Sequence, residues 1–272
     1  MAVTVATGGP PGSLVGLDRA RVVVEYPIAA DHTGLLVLLD SDAKVLGPLR
    51  SATPSDAALA IGFTADLVTA RTTGAVVEHL AQADLSVFEE HTVRGTLVRD
   101  PARRAPFNLY VVPEAVRAAV GQRDPGVPWS PDTAAAEAQS EDGRSGDGRS
   151  GEVRAQDEVT VQVAGDAVVT WTWEPNESHW LRTAGGQLEQ SATGARIAAD
   201  IVLVLEVRSD LDRPPAIADL VGSGTAQVLR NGQVSDASWQ RSGTTDLPTV
   251  RGSGDAPAGT TTWVHVCAFP CA

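Results

Sequence analysis

The residues whose spacing suggests chemistry sit in VLGPLRSAT, Val45 to Thr53. An apolar, strand-like run, Leu35–Leu39, leads through a polar turn to Gly47-Pro48, and Arg50 and Ser51 follow at once. Glycine and proline punctuate regular structure, so the segment gathers backbone amides, a hydroxyl and a fixed cation at the end of a strand. Such a place suits an external anion, and it equally suits an internal carboxylate. The acids in reach are Glu25, in an apolar run upstream, and Asp56, in the first turn of a helix that follows. As a site, the Arg50 guanidinium fork would recognise a carboxylate or phosphate with help from Ser51 and the helix N-terminus. As structure, an Arg50–Glu25 or Arg50–Asp56 pair would brace the strand–turn–helix corner.

Two other groups carry polar chemistry. Asn108-Leu109-Tyr110 opens a strand, where an Asn side chain bonds turn backbone and a Tyr hydroxyl reaches a buried acceptor. Trp171, Trp173 and Trp180 come from one hairpin. The first two share a face by the strand period of two, and Trp180 opposes one of them across the turn. Exposed, they form a platform for sugar rings with Arg182 as a hydrogen-bonding flank. Buried, they fill the core of an aromatic-poor lobe, since six of the twelve aromatic residues are Trp.

Composition narrows the classes. A net charge of −13 repels a phosphate backbone, and the basic residues form no sequence cluster, so nucleic acid is excluded as a partner. No apolar run reaches the roughly 18 residues of a membrane span. His32, His79, His91, His179 and His265 lack metal-binding spacing, and Gly222-Ser223-Gly224 precedes a strand and lacks a third glycine, so neither metal nor dinucleotide is implied and the expected cofactor is none. Cys267 and Cys271 lie four apart, close enough to bridge if Ala268-Phe269-Pro270 turns, and they read as a tail without chemistry. The start, MAVTVATGGPPGSL, lacks the basic and apolar regions of a signal peptide and reads as a strand, Ala2–Ala6, running into a Gly-Pro turn. A chain that opens on its first strand fits one trimmed of its leader better than a cytosolic product.

The elements that must position these groups follow from pattern. Residues 21–28 and 35–39 read as buried strands joined by a hairpin, and 56–67 as a helix capped by Thr53 or Ser55. A second helix covers 74–83, a strand 107–112, and a third helix starts at Pro113. From 123 to 157 the chain turns Gly/Ser-rich and charged, with the near-repeat DGRSGDGRSG, which predicts a disordered linker or long loop. Beyond it come strands: EVTVQVA, VVTWTW and HWLRT, the very apolar Ile201–Val207, a hairpin around Asn231-Gly232, and Thr261–Val266. The fold class read here is α+β. A mixed α/β N-terminal lobe (1–122) is joined by a flexible linker (123–157) to a mainly antiparallel β C-terminal lobe (158–272).

RVVVEYP, LLVLL, VLGPLRSAT, APFNLY, WTWEPNESHWLR and TTWVHV, in this order over nearly the whole chain, resemble the YerB-like lipoprotein family. Its members are bacterial envelope proteins made of two joined domains of unknown function, usually with a lipoprotein leader. The resemblance implies an extracytoplasmic location. Against the family pattern of ADVVYE, GxxTR, VGPVRSAR and APHNLY, the chain keeps Glu25, Gly47, Pro48, Arg50, Ser51, Asn108, Leu109, Tyr110, Trp173, Trp180 and Arg182. It departs at Gly34 and Thr53, where the pattern has arginine, and at Phe107 and Leu188, where it has histidine. Ile201 takes the place of an asparagine. An active centre built from those groups would be largely lost here.

The function this implies is a non-catalytic ligand-binding or scaffolding module of the cell envelope. Its ligand would be a cell-wall fragment or small anion in a cleft between the lobes. Arg50, Ser51 and Asn108 would line one side, and Trp173 and Arg182 the other, with Glu25, Asp56, Tyr110 and Trp180 completing the candidate set. The rival is an enzyme on cell-wall glycan or peptide with Glu25 or Asp56 as acid/base. A third reading is assembly with an envelope protein through the second lobe's sheet edges.

Overall fold

The structure, a computed structural model, describes residues 1–29, 32–39, 43–92, 94–120, 153–207, 220–251, 259–268 and 270–271. The first half runs β1 (Ala2–Ala6), the hairpin β2 (Ala20–Ala29) and β3 (His32–Leu39), helix α1 (Pro54–Gly62), β4 (Leu67–Val68), α2 (Gly74–Gln82) and β5 (Val87–Phe88). A ribbon of β6 (Leu97–Arg99) and β7 (Leu109–Val111) and helix α3 (Pro113–Val120) close it. The second half runs β8 (Val153–Ala155), β9 (Glu158–Ala164), β10 (Ala167–Glu174), β11 (His179–Ala184), β12 (Gln187–Leu188), β13 (Ala198–Ala199) and β14 (Ile201–Val207). The hairpin β15 (Gly222–Arg230) and β16 (Gln233–Arg241) follows, then β17 (Thr249–Arg251) and β18 (Thr262–Ala268).

Strands of both halves form one sheet of eleven, in the order β17-β16-β15-β14-β18-β2-β3-β1-β4-β5, with β8 paired to β16. The structure is therefore largely β, with three helices among the described residues. The two halves of the chain meet within this sheet. The last strand, β18, lies parallel to β14 on one side and to β2 of the first half on the other. A strand as apolar as TWVHV is best placed where both faces and both edges are covered, which is the centre of a sheet. A second sheet, β12-β11-β10-β9 with β13 on β11, packs across one face of the first.

The period of two sorts each central strand. Val23, Leu35, Val37, Val202 and Trp263 face the second sheet and meet Val161, Trp171 and Trp180. Val22, Val24, Tyr26, Leu36, Leu203 and Val264 face α1 and α2 and meet Leu59, Phe63 and Leu80. Trp171, Trp180 and Trp263 are fully buried, and truncating any one to Ala would cost about 3–5 kcal/mol.

Several local expectations shift. The helix predicted over 56–67 ends at Gly62, and Leu67 enters β4 instead, because a parallel place beside β1 is open to it. Thr53 caps the helix through a reciprocal box with Asp56. The strand over 107–112 shortens to Leu109–Val111. Val153–Ala155, assigned to the linker, pairs with β16. Most of that linker, 123–152, lies outside the described residues. The Asn231-Gly232 turn forms with positive φ at both residues, 52° and 70°, as a type I′ turn requires.

The arm that carries Arg50 is laced between strands. Leu46 and Leu49 bond the backbone of Val111 and Leu109, while Arg50 N donates to Thr4 O at 3.2 Å. Gly16 secures the arm's start: with φ of 80°, a Cβ there would stand 2.3 Å from Val45 O. Gly16→Ala should therefore lower stability by about 3 kcal/mol, and Gly8→Ala, at φ 72° in open space, by about 1 kcal/mol. Urea unfolding of the two variants checks this, and equal losses would remove the Val45 contact from the account.

Candidate functional site

Arg50 turns its guanidinium back onto the fold. On the helix face of the main sheet, Nη1 donates to Asp56 Oδ2 at 2.7 Å and Nη2 to Asp56 Oδ1 at 2.8 Å. Nη2 also donates to Tyr26 Oη (3.0 Å) and Leu35 O (3.2 Å), and Nη1 to Ser51 O (3.0 Å). Asp56 is fully buried and accepts from Thr53 N at 2.7 Å, so the α1 N-terminus already holds an anion, its own. The corner thus takes the internal carboxylate. Burial, aided by the Asp56 carboxylate, pushes the Tyr26 hydroxyl well above its ordinary pKa, against an opposing pull from Arg50. The guanidinium lies flat on Gly34, where a Cβ would stand 2.4 Å from Nε. An arginine or any larger side chain at that position would collide with Arg50 as it is placed here.

Glu25 does not join Arg50. It precedes Tyr26 on β2 and so points through the opposite face, toward the second sheet. There Arg182 Nη2 donates to both carboxylate oxygens at 2.9 Å, Thr33 Oγ1 donates to Oε1 at 3.0 Å, and Trp263 Nε1 donates to Oε2 at 3.2 Å. Arg182 also donates to Glu189 and stacks over Trp263 at 4.9 Å. His265 Nδ1 stands 3.5 Å from Glu25 Oε2, and its Nε2 accepts from Trp171 Nε1 at 2.8 Å. An indole N–H only donates, so Nε2 is unprotonated and the neutral ring carries its proton on Nδ1, toward Glu25. Burial pushes the His265 pKa down to about 4, with Arg182 adding to the effect and Glu25 opposing it. Burial alone would raise the Glu25 carboxyl, but Arg182, His265 and the hydrogen bonds from Arg182 and Thr33 outweigh it and hold that carboxyl below its ordinary range.

An open cleft of about 530 Å³ lies elsewhere, at the carboxyl ends of β1, β4 and β5. These three strands are mutually parallel, and the carboxyl edge of a parallel sheet is where such folds receive ligands. Thr7 follows β1, Arg71 follows β4, and Glu89 and Glu90 follow β5. Leu49, Leu109, Phe107 and Pro106 make an apolar wall, beside which Ser51 is exposed. Arg99 is bound to Glu90 and donates to Asn108 Oδ1 at 2.9 Å. The exposed Arg71 guanidinium has no partner among the described residues.

Of the predicted set, Arg50 and Ser51 line this cleft, and Asn108 reaches its rim through Arg99. Trp173, Trp180 and Arg182 do not face it. Arg182 is consumed by Glu25. Trp180 is buried, and half-buried Trp173 packs on it at 5.5 Å and covers Gly232, so the hairpin is core rather than platform. Tyr110 donates to Ser13 O and Phe107 O, each at 3.2 Å, and braces backbone. Sequence reasoning missed His265, Trp263, Thr33 and Arg71, and it placed Trp171 in the hairpin without its His265 partner. A single charge in the apolar run VVVEYP calls for buried partners, and Trp263 and His265 share a face by period two. Those signals were present, but the partner's identity was not.

Two family models match, one for the N-terminal domain of a protein of unknown function, DUF3048, over residues 11–126, and one for its C-terminal domain over 159–264. The crystal structure of YerB from Bacillus subtilis superposes with a TM-score of 0.73 at 19% identity, covering 98% of this chain and 89% of that one. The chain belongs to the YerB-like family. None of the curated proteins compared with it matches. The family motifs noted in the sequence now have places. Glu25 and Arg182 of the pattern pair with each other, and Arg50 holds the corner beside Gly34. Among the described residues, no three His, Cys, Asp or Glu side chains gather as a metal site.

Two outcomes follow from the buried pairs. Arg50→Ala should cost about 3–5 kcal/mol by leaving Asp56 uncompensated, and Gly34→Ala should cost a comparable amount by displacing the same guanidinium. Denaturant unfolding reads both, and a loss under about 1 kcal/mol in either would show that the corner is not a brace. The second outcome concerns pH. An unfolded His265 takes up its proton near 6.5 and the native one only near 4, so unfolding gains a proton as pH falls between them and stability is lost. The loss should approach about 3 kcal/mol by pH 4. Glu25 adds to it at lower pH, because stability from a depressed carboxyl disappears as pH drops through its lowered value. His265→Gln, which keeps an acceptor for Trp171, should flatten the upper window. An unchanged pH profile in that variant would assign the loss to other groups.

Proposed function

We propose that this YerB-like protein is a non-catalytic binding module of the cell envelope that holds a small anionic ligand in the cleft at the carboxyl ends of β1, β4 and β5. The observation that carries this reading is the Arg71 guanidinium, unpartnered among the described residues, beside exposed Ser51 and against an apolar wall that includes Phe107. Such a site supplies a fork for a carboxylate or phosphate and a surface for the body attached to it. A cell-wall fragment or an acidic sugar has both parts.

The reading of Glu25 or Asp56 as a catalytic acid/base is not favoured. Both are sealed from solvent, both are held by arginine, and a general acid must touch its substrate. An envelope location draws support from the family and from the Cys267–Cys271 disulfide, which persists in oxidising compartments.

Thermal unfolding with phosphate, acidic sugars and muropeptides tests the binding reading. A ligand at about a hundred times its dissociation constant adds about 2.7 kcal/mol, a rise of several degrees. The rise should vanish in Arg71→Ala while the variant alone unfolds like wild type, since Arg71 is exposed. No rise with any of these compounds would move the reading from ligand binding to scaffolding.

A further inference from the structure

The cleft has a second polar wall whose direction is set from inside the protein. Thr33 Oγ1 contacts Glu25 Oε1 at 3.0 Å, and an ionised carboxylate only accepts, so the Thr33 hydroxyl proton is committed inward. Thr7 Oγ1 lies 2.6 Å from Thr33 O and 3.2 Å from Thr33 Oγ1, so its proton is committed to Thr33 by either route. Both threonines line the cleft. With both protons spent, these two hydroxyls offer lone pairs only. Glu89 adds to the acceptors: one of its oxygens takes the Thr72 backbone N–H, and the carboxylate borders the cleft on the other side of Arg71.

The strand order gives the arrangement. Thr7 and Glu89 directly follow β1 and β5, and Arg71 lies three residues beyond β4, the strand between them. The donor therefore comes from the middle strand and the acceptors from its two neighbours, as the two opposite charges of a small amphoteric molecule require. Deepening the anion reading, on which it rests, we infer that the cleft selects a zwitterion: an amino acid or short peptide whose carboxylate meets Arg71 and Ser51 and whose free ammonium meets the Thr7 and Glu89 oxygens. A simple polyanion would set negative charge against Glu89 and lone pairs against lone pairs. An ammonium brings three donors to the Thr7 and Glu89 oxygens, which only accept, and the apolar wall receives the side chain. Glu25 does not touch the ligand. It positions Thr33, and through it Thr7, so the charge pair buried between the sheets sets the polarity of a surface cleft.

Calorimetric titration with D-alanyl-D-alanine, its N-acetyl derivative and its C-terminal amide tests the inference on the whole chain. The free dipeptide should bind at least about tenfold tighter than the N-acetyl form, the difference one charge-assisted hydrogen bond makes. In Thr7→Val, an isosteric change at a half-buried position, that preference should shrink to within about threefold while the free dipeptide still binds. Equal affinity for the free and N-acetyl forms, with the amide bound more weakly, would overturn the zwitterion and leave the anion site standing. Equal affinity for the acid and its amide would overturn the anion site and the inference with it, as would no binding of any of the three.

Discussion

A carboxylate buried in an apolar strand must be met by a cation, and Glu25 imposes that requirement on the whole molecule. Its partner, Arg182, stands 157 residues away on β11, and the bond between them crosses from the main sheet to the second one. Thr33 from the neighbouring strand and Trp263 from β18 fill the remaining acceptor positions. A half-satisfied buried charge costs several kcal/mol, so these elements must arrive together or not at all. The next residue, Tyr26, repeats the demand on the opposite face through Arg50 and Asp56. Two polar centres stand back to back across one strand, one holding the second sheet and the other holding α1.

These centres account for the burial of the groups that look most like catalytic acids. Arginines and acids that a motif marks as a site are spent on each other, and the lowered pKa of Glu25 reports stabilisation by its partners rather than poise near neutral pH. Perturbed ionisation identifies buried pairs as readily as active sites. His265 makes the same point. Its pKa falls because it is buried neutral between an indole donor and a carboxylate, which ties the protein's stability to pH without exposing a base to any substrate.

The proposed ligand chemistry falls to polar groups that the two buried pairs leave over. The parallel trio β1, β4 and β5 ends in a cleft with a guanidinium unpartnered among the described residues, an exposed hydroxyl and an apolar wall. Two of its strands are only two residues long; β4 pairs parallel to β1 and β5 to β4, because α1 and α2 cross back over one face. The buried centre still reaches this surface, because Thr33 belongs to both.

The local sequence determined a good deal by itself: the alternation of EVTVQVA, the capping box at Thr53 and Asp56, the turn at Asn231-Gly232, and the family, whose motifs survive in order. Each of these depends on residues a few positions apart, where backbone geometry links spacing directly to shape. It also raised the right question at Arg50, external anion or internal carboxylate, without an answer. Only the tertiary structure decided that Arg50 takes Asp56, that Arg182 takes Glu25, and that the Trp hairpin is core. It also put Arg71, in no motif, at the mouth of the cleft. The reason is physical: a charge recognises whichever opposite charge is nearest in space, and proximity across sheets follows from strand order. That order places β18, the last strand of the chain, beside β2, an adjacency that no spacing along the sequence encodes.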